Sequence, residues 1–473
     1  MSASLSTEAG AFSRGSTFQS LLAHYRAASA NEREKGARFE RLMQRFLQAD
    51  PAYADRFKHV WLWNEFPFRT DLGGKDTGID LVAQDTLGDY WAVQCKCYAA
   101  DARIDKAEVD TFLATASRSF VADNGLTTRF AHCLWISTTD NWGANAEEAI
   151  RNHTPPVNRL RPGHLEASAV DWAKLACDLH GHAARRPTHS PLSHQLDAIA
   201  AAKKHYIAAA AERGQLIMAC GTGKTFTSLK IAEALTGIAE TRNISAAAAD
   251  ALVLFLVPSI ALLGQTLGEW SAHAARPIKP ICICSDPEVS KRKTKNEDAD
   301  GFSIVDLALP ASTDPAAILR QLEAAAAQPG LTVIFSTYQS IAVIAAAQKA
   351  LAGKRGVTRA TFDLIICDEA HRTTGVTLAD QDESAFVKVH GNTLLPARRR
   401  LYMTATPRLY HETAKKPPPK TTWCSAPWTT PSSTARSFTT SALATPSSVA
   451  SSPTTKSSSS PSTTTPSPPP PSK

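Results

Sequence analysis

Residues 215–235 read "QLIMACGTGKTFTSLKIAEAL". An apolar run leads into a glycine-rich loop, and a helical pattern leads out of it, giving strand, loop, helix. That is the context a phosphate-binding loop requires. Gly221, Thr222 and Gly223 form the turn, whose glycines let the backbone close around an anion. The amide N–H groups and the helix N-terminus supply partial positive charge. Lys224 is placed to reach the β- and γ-phosphates of ATP, and Thr225 to hold Mg²⁺ through its hydroxyl. The strict pattern has one more glycine five positions before Gly223; Met218 stands there, so the loop is a variant.

The same alternation repeats outward from this loop. "ALVLFLVPSIALLGQTLGEW" (251–270) and "LTVIFSTYQSIAVIAAA" (331–347) are each an apolar strand followed by a helix, and "RRLYMTATP" (399–407) is a further strand. Continuous apolar strands with crossover helices imply a parallel sheet covered on both faces. "FDLIICDEAHR" (362–372) is an apolar strand that delivers acids at its end. Asp368 is expected to bind Mg²⁺ through water, and Glu369 to polarise the attacking water.

Over about residues 185–410 these elements resemble superfamily 2 helicases and translocases, which implies a RecA-like lobe. "HQLDAI" (194–199) resembles the adenine-sensing element, with Gln195 reading the base edge. "VPSIALLGQT" (257–266) and "STYQS" (336–340) resemble the strand-end motifs that touch a DNA backbone, implicating Ser259, Gln265 and Thr337. "TATP" (404–407) resembles the motif that couples hydrolysis to DNA movement, carried by Thr404 and Thr406. Taken singly, each of these hydroxyls could equally be a cap or turn residue.

A second chemistry lies upstream. "GID" (78–80) precedes "VQCKC" (93–97), each in a strand-like run. Gln94 and Lys96 are two apart, so they share a face, and a hairpin would bring Asp80 beside them. Metal-dependent phosphodiester cleavage needs a carboxylate ligand, a second oxygen ligand and a cation near the attacking water. Asp80, Gln94 and Lys96 supply these, and Glu40 on the preceding helix could add a carboxylate. Glutamine in the second position leaves the site with one less negative charge. An ordinary hairpin with outward Gln94 and Lys96 is the competing reading.

The wider context "GARFERLM … GIDLVA … YWAVQCKCY" resembles the Mrr-like branch of the D-(E/Q)-x-K nucleases, in which glutamine at that position is familiar. A nuclease ahead of a superfamily 2 motor, together with "TTDNWGANAEEAI" (138–150), looks most like the single-chain Type ISP restriction–modification family. The resemblance implies a DNA restriction enzyme using ATP and Mg²⁺ on double-stranded DNA. In that family a second motor lobe, an adenine methyltransferase and a target-recognition domain follow. No signature of these is found in the 473 residues, so the chain is expected to be an N-terminal part that does not translocate. The alternatives are a remnant that binds ATP and DNA without catalysis, and a stand-alone DEAH-type helicase.

The expected organisation is a lead-in over 1–30, small, polar and at most weakly helical; a nuclease domain over 31–180; a linker over 181–190; an ATP-binding lobe over 191–412; and a tail over 413–473. "LEASAVDW" (165–172) reads as the last strand of the nuclease, and residues 285–314 as a polar excursion between core strands. The fold class is α/β: a restriction-endonuclease-like domain, one RecA-like parallel-sheet domain and a disordered tail.

Composition adds exclusions. Hydrophobic content is 43% and charged content 20%, ordinary for a globular protein. No apolar run is long enough to span a membrane and the N-terminus has no apolar signal-like stretch, so the expected compartment is the cytoplasm. Net charge is +7, of which Arg436, Lys456 and Lys473 carry a share in a tail without acids, so charge alone does not indicate nucleic acid. The nine cysteines include the pairs Cys95/Cys97 and Cys282/Cys284, which read as reduced thiols in strands because zinc sites use wider spacings.

From Thr421 the chain is almost wholly Ser, Thr, Pro and Ala. All four are specified mainly by codons with C in the middle, which is what a GC-rich gene yields when its frame slips by one base. "TTWCSAPWTT" (421–430) can be produced this way from a sequence encoding DDVVLCSMDD. A frameshift near Lys416–Lys420 is therefore expected. Sequencing the coding DNA across Lys420 tests it.

Overall fold

The computed structural model describes residues 17–405 and 436–438, apart from 75–77, 100, 152, 178, 239–249, 286–301, 355–359 and 374–386. The chain begins with α1 (Phe18–Ala28) and α2 (Glu32–Ala49). Asn31 caps α2 by accepting the Glu34 N–H at 2.9 Å, and Phe39, Leu42, Met43 and Phe46 line its buried face. Strands β1 (Phe57–Leu62), β2 (Leu81–Asp85) and β3 (Tyr90–Lys96) follow as an antiparallel meander. The tight β2–β3 turn is held by Asp85 Oδ1, which accepts the N–H groups of Leu87 and Asp89 at 2.9 Å each. Next come α3 (Lys106–Ala116), β4 (Ser119–Val121), β5 (Thr127–Ser137), α4 (Ala144–Arg151), β6 (Val157–Leu160), α5 (Pro162–Ala167) and α6 (Trp172–Ala176). The sheet order is β1-β2-β3-β5-β4, with β6 pairing β5. The β3–β5 and β5–β6 pairs are parallel.

The second domain runs α7 (Ser193–Lys203), β7 (Arg213–Ile217), α8 (Lys224–Thr236), β8 (Ala251–Val257), α9 (Ile260–His273), β9 (Ile278–Ile283), α10 (Pro315–Ala326), β10 (Leu331–Thr337), α11 (Ile341–Ala352), β11 (Leu364–Cys367), β12 (Arg400–Thr404) and β13 (Arg436–Phe438). Its sheet is parallel throughout, in the order β13-β7-β12-β11-β8-β10-β9. Both faces are covered, as continuous apolar strands require: in β8, Val253, Phe255 and Val257 enter one core while Leu252, Leu254 and Leu256 enter the other. The expected α/β architecture, with a nuclease-like domain before a parallel-sheet lobe, is present. No helix among the described residues is long and apolar enough to cross a membrane.

Four local expectations differ from what forms. Part of the supposed lead-in is α1, whose Phe18, Leu21 and Leu22 are fully buried; Phe18 lies 4.7 Å from the Trp172 ring. "LEASAVDW" is not a strand. Pro162 opens α5, and Asp171 caps α6 by accepting the Lys174 N–H at 3.2 Å, so Leu165 and Trp172 reach the core from two short helices. The start of the expected linker is pinned to the first domain: Ala184 is buried, and Arg185 Nε donates to the Ala49 carbonyl at 2.7 Å. The end of the 285–314 excursion is also docked, with Val305, Leu307 and Leu309 all buried. Most of the tail, and with it the frameshift reading, lies outside the described residues. Arg436–Phe438 is an exception, adding a short strand beside β7.

Candidate active sites

The β2–β3 hairpin does what its sequence promises. Asp80 extends the ladder just before β2: its N–H donates to the Val93 carbonyl at 2.9 Å, and its carbonyl accepts the Trp63 N–H at 2.8 Å. Gly78, two residues earlier, has φ 84°, and a Cβ there would lie 3.1 Å from the Phe112 backbone nitrogen at α3. Only glycine fits that approach without strain. The Asp80 carboxylate then meets β3: Oδ2 accepts from Gln94 Nε2 at 2.6 Å and from the Cys95 N–H at 2.7 Å.

Gln94 is 1% exposed, and its Oε1 is buried without a hydrogen-bond partner. An orphaned buried acceptor costs about 1–3 kcal/mol, so such groups are rare unless something binds them. Gln94 Oε1 and the Asp80 carboxylate would be the residues to hold a divalent cation, and as a donor set they are the hard oxygen chemistry such a cation prefers. Lys96 lies two residues along the same face of β3. Burial pushes the Cys95 thiol well up, and the charges it senses are those of Asp80, Glu40 and Lys96, which locates all three around this strand end. Glu40 is half-buried on α2. Tyr98, whose hydroxyl donates to Glu108, stands just beyond Lys96 and also senses Asp80; sequence reading did not single it out.

The second site forms at the carboxyl ends of adjacent strands β7, β12 and β11, where ligands sit in open α/β sheets. Gly223 caps α8 at φ 79°, and a Cβ on it would fall 2.5 Å from Gln195 Nε2. Gln195 is buried; its Nε2 donates to the Thr222 carbonyl at 3.0 Å and its Oε1 accepts the Leu192 N–H at 2.9 Å. In this structure Gln195 braces the loop, keeping one N–H and one lone pair for any base edge. The Thr225 carbonyl accepts from Trp270 Nε1 at 3.1 Å and Ser228 Oγ at 2.7 Å, which fixes the start of α8. Met218, where the strict motif has glycine, is buried at the strand end, with its N–H donating to the Thr404 carbonyl at 3.2 Å.

Asp368 leaves β11 with its N–H bonded to the Leu256 carbonyl at 2.9 Å. Burial pushes its carboxyl up to about 6, aided by the Glu369 charge and opposed by the Glu369 amide and Lys224. A buried carboxylate so short of positive charge is a natural partner for a cation. Lys224 Nζ is 3.6 Å from Glu369 Oε1. Glu369 itself adopts φ 48°, a left-handed conformation that costs about 1–2 kcal/mol outside glycine. His371 Nδ1 lies 3.2 Å from Glu369 Oε2 and 3.1 Å from Thr404 Oγ1. That histidine, two residues past Glu369 in the quoted stretch, joins two motifs that sequence reading treated separately.

The strand-end residues divide. Ser259 is the cap of α9, accepting the Leu262 N–H at 3.4 Å. Thr337 is buried, its Oγ1 3.5 Å from Ser340 Oγ. Gln265 is exposed on α9. Thr404 sits beside His371 at the second site, and Thr406 lies outside the described residues.

Residues 48–181 match an Mrr-type family described as "Restriction endonuclease", and residues 188–409 match the family "Type III restriction enzyme, res subunit". The chain joins an Mrr-like nuclease domain to a ResIII-type helicase domain. Among solved structures, the ATP-dependent Type ISP restriction-modification enzyme LlaBIII bound to DNA is similar, at 33% identity and a TM-score of 0.64 over 87% of this chain. This chain covers 24% of that one. A nuclease-deletion mutant of the Type ISP enzyme LlaGI, in complex with a DNA substrate mimic, is 39% identical over 46% of this chain and 15% of its own, with a TM-score of 0.34. A comparison with curated proteins found no match. The resemblance to Type ISP enzymes read from the motifs is thus found again at the level of both domains.

Proposed function

We propose that the chain is the nuclease and first motor lobe of an ATP-dependent restriction enzyme acting on double-stranded DNA, with Mg²⁺ at both sites. The observation that carries the nuclease half is Gln94, whose Nε2 donates to the Asp80 carboxylate while its Oε1 is buried and unpartnered. A divalent ion held there would supply charge neutralisation at the scissile phosphate and an acidified water. Asp80 and Gln94 orient that ligand sphere, Lys96 stabilises developing negative charge near the attacking water, and Glu40 offers a further carboxylate. In the helicase domain, Lys224 and the loop of Gly221, Thr222 and Gly223 bind the phosphates, Thr225 and Asp368 hold the metal, and Glu369 orients water. Gln195 senses the nucleotide through the loop it braces. Thr404 and Thr406 link nucleotide state to DNA, and Ser259, Gln265 and Thr337 mark the DNA side, with Gln265 the exposed reader of the backbone.

The relatives' DNA complexes and the restriction-type domains support this reading. The test is nicking of supercoiled plasmid by the purified 473-residue chain. Nicking should require Mg²⁺ and be lost in Asp80→Ala and in Lys96→Ala, with cooperative melting in chelator showing that each variant is folded. Nicking retained in both variants discards the site.

A further inference from the structure

Between β9 and α10, residues 302–309 lie against the nuclease domain before Ala311 bridges back to Cys282 of β9. Asp306 is completely buried there. Its Oδ1 accepts from Arg159 Nε at 2.5 Å and Arg161 Nε at 2.8 Å, and its Oδ2 accepts the Ser303 N–H at 2.9 Å. Asn158 Nδ2 donates to the carbonyls of Ile304 at 3.1 Å and Leu307 at 3.0 Å. Val305 enters the nuclease core that contains Trp135, the β5 partner of Gln94. Residues 158–161 thus belong to the nuclease, and their partners to the helicase domain.

The network continues inward. Arg161 lies 3.4 Å from Asp140, and Arg159 lies 3.0 Å from Glu147 and 5.1 Å over the Trp142 ring. These partners fall in 138–150, the stretch "TTDNWGANAEEAI", for which the two active sites give no role. That loop is bonded to the site strand: the Thr138 N–H donates to the Lys96 carbonyl at 3.1 Å, and Thr138 Oγ1 to the Tyr98 carbonyl at 2.8 Å. Buried ion pairs are seldom kept for net stability, since apolar replacements of similar shape do as well. This one joins Asp306 through Arg161 to Asp140.

We propose that residues 302–311 of the helicase domain complete the nuclease fold, and that Asp306 is a positioning residue for the nuclease site. Acting through Arg161 and Asp140, it holds the 138–142 loop against the Lys96–Tyr98 end of β3. The orientation of Lys96 beside Asp80 and Gln94 then depends on how the helicase domain presents its docked segment. The proposal rests on reading those three residues as the nuclease site.

Backbone hydrogen exchange on the full 473-residue chain tests it without requiring activity. In Asp306→Asn, amides of 93–98 and 136–142 should exchange about tenfold faster, while β8 and β10 stay unchanged, as expected when one cooperative segment loosens. In Asp140→Asn the same two segments should exchange about threefold faster at unchanged melting temperature. The Asp140 side chain is 45% exposed, so this variant strands no buried charge and decides the matter if Asp306→Asn fails to fold. Asp89→Asn, which breaks the peripheral interdomain pair with Arg320, should leave both segments alone. Acceleration confined to 302–311 in Asp306→Asn, or no change at 93–98 in Asp140→Asn, overturns the proposal. On the same proteins, Asp140→Asn should lower the kcat of nicking without changing KM for DNA. A wild-type chain that does not nick removes the nuclease reading, while the exchange result still decides the coupling.

Discussion

Replacing Gln94 by glutamate asks directly whether the β2–β3 hairpin is a metal site. The change is nearly isosteric and places a second carboxylate where Gln94 Nε2 now sits 2.6 Å from Asp80 Oδ2, at a position only 1% exposed. Two full charges that close repel by about 6 kcal/mol at an effective dielectric of about 20. The protein has a cheaper course: one carboxyl keeps a proton and donates it to Asp80. Holding a proton at pH 7 on a group with an ordinary value of about 4.3 costs about 3.7 kcal/mol, which caps the penalty. In chelator, Gln94→Glu should therefore lose up to about 3.7 kcal/mol, or roughly 7 °C in melting temperature at about 2 °C per kcal/mol for a body this large. The sign follows from linkage: the raised folded value means the folded state binds the extra proton more tightly, so the deficit shrinks as pH falls from 7 towards 4.

Destabilisation alone does not distinguish the readings, because burying a second acid is harmful anywhere. The Mg²⁺ response does. If Asp80 and position 94 share a cation, glutamate adds a negative ligand, and the variant should recover most of its deficit in millimolar Mg²⁺. Saturation at about a hundred times Kd returns about 2.7 kcal/mol. Wild type, with a neutral ligand, should shift less. Melting curves in chelator and in Mg²⁺ on both proteins measure the difference. Equal shifts in the two proteins would refute the metal reading and leave Gln94 as a hydrogen-bonded strand residue.

Further outcomes follow from other positions. Gly223→Ala forces φ 79° on alanine and drives its Cβ to 2.5 Å from Gln195 Nε2, so it should cost about 1–2 kcal/mol of stability and reduce ATP-analogue affinity at least about tenfold in a fluorescence titration. Unchanged affinity would place the nucleotide elsewhere. Phe18→Ala removes a fully buried ring packed on Trp172 and should lower urea stability by about 3–5 kcal/mol; a cost below about 1 kcal/mol would mean α1 is not part of the core. His132, its ring tilted against Trp91 at 4.7 Å and its Nδ1 buried and unpartnered, is pushed down to about 4 by burial, with Arg56 and Arg320 adding to it. The unfolded chain then takes up the proton first, so stability falls as pH drops from about 6.5 to about 4, by up to about 1.4 kcal/mol per pH unit. His132→Phe should remove that part of the slope and leave neutral pH untouched; parallel pH–stability curves would show that His132 carries none of it.

What the sequence discloses and what it withholds separate by range. The glycine loop ahead of α8, the acid pair after β11 and the Asp80–Gln94 hairpin are legible because each is built from residues close in the chain, with a glycine or an apolar run fixing the local path. Even α1 left a local signal, since Phe18, Leu21, Leu22 and Tyr25 recur at helical spacing in a stretch dismissed as small and polar. The two short helices at 162–176 mimic alternation because Leu165 and Trp172 each reach the core from a separate turn, opened by Pro162 and by the Asp171 cap. Asp306 is a different case. In "FSIVDLAL" it interrupts an apolar run, which reads locally as a surface position in a loop. Its partners stand 147 and 145 residues earlier, at Arg159 and Arg161, and nothing in either segment names the other. A charged residue in an apolar stretch is nonetheless a statement about energy: burial is affordable only if a counter-charge waits at the same place. A lone acid in an otherwise apolar segment, paired with two arginines two apart on a strand end, therefore marks the kind of long-range contact that motif reading passes over, and here it lies where one domain's chemistry depends on another's placement.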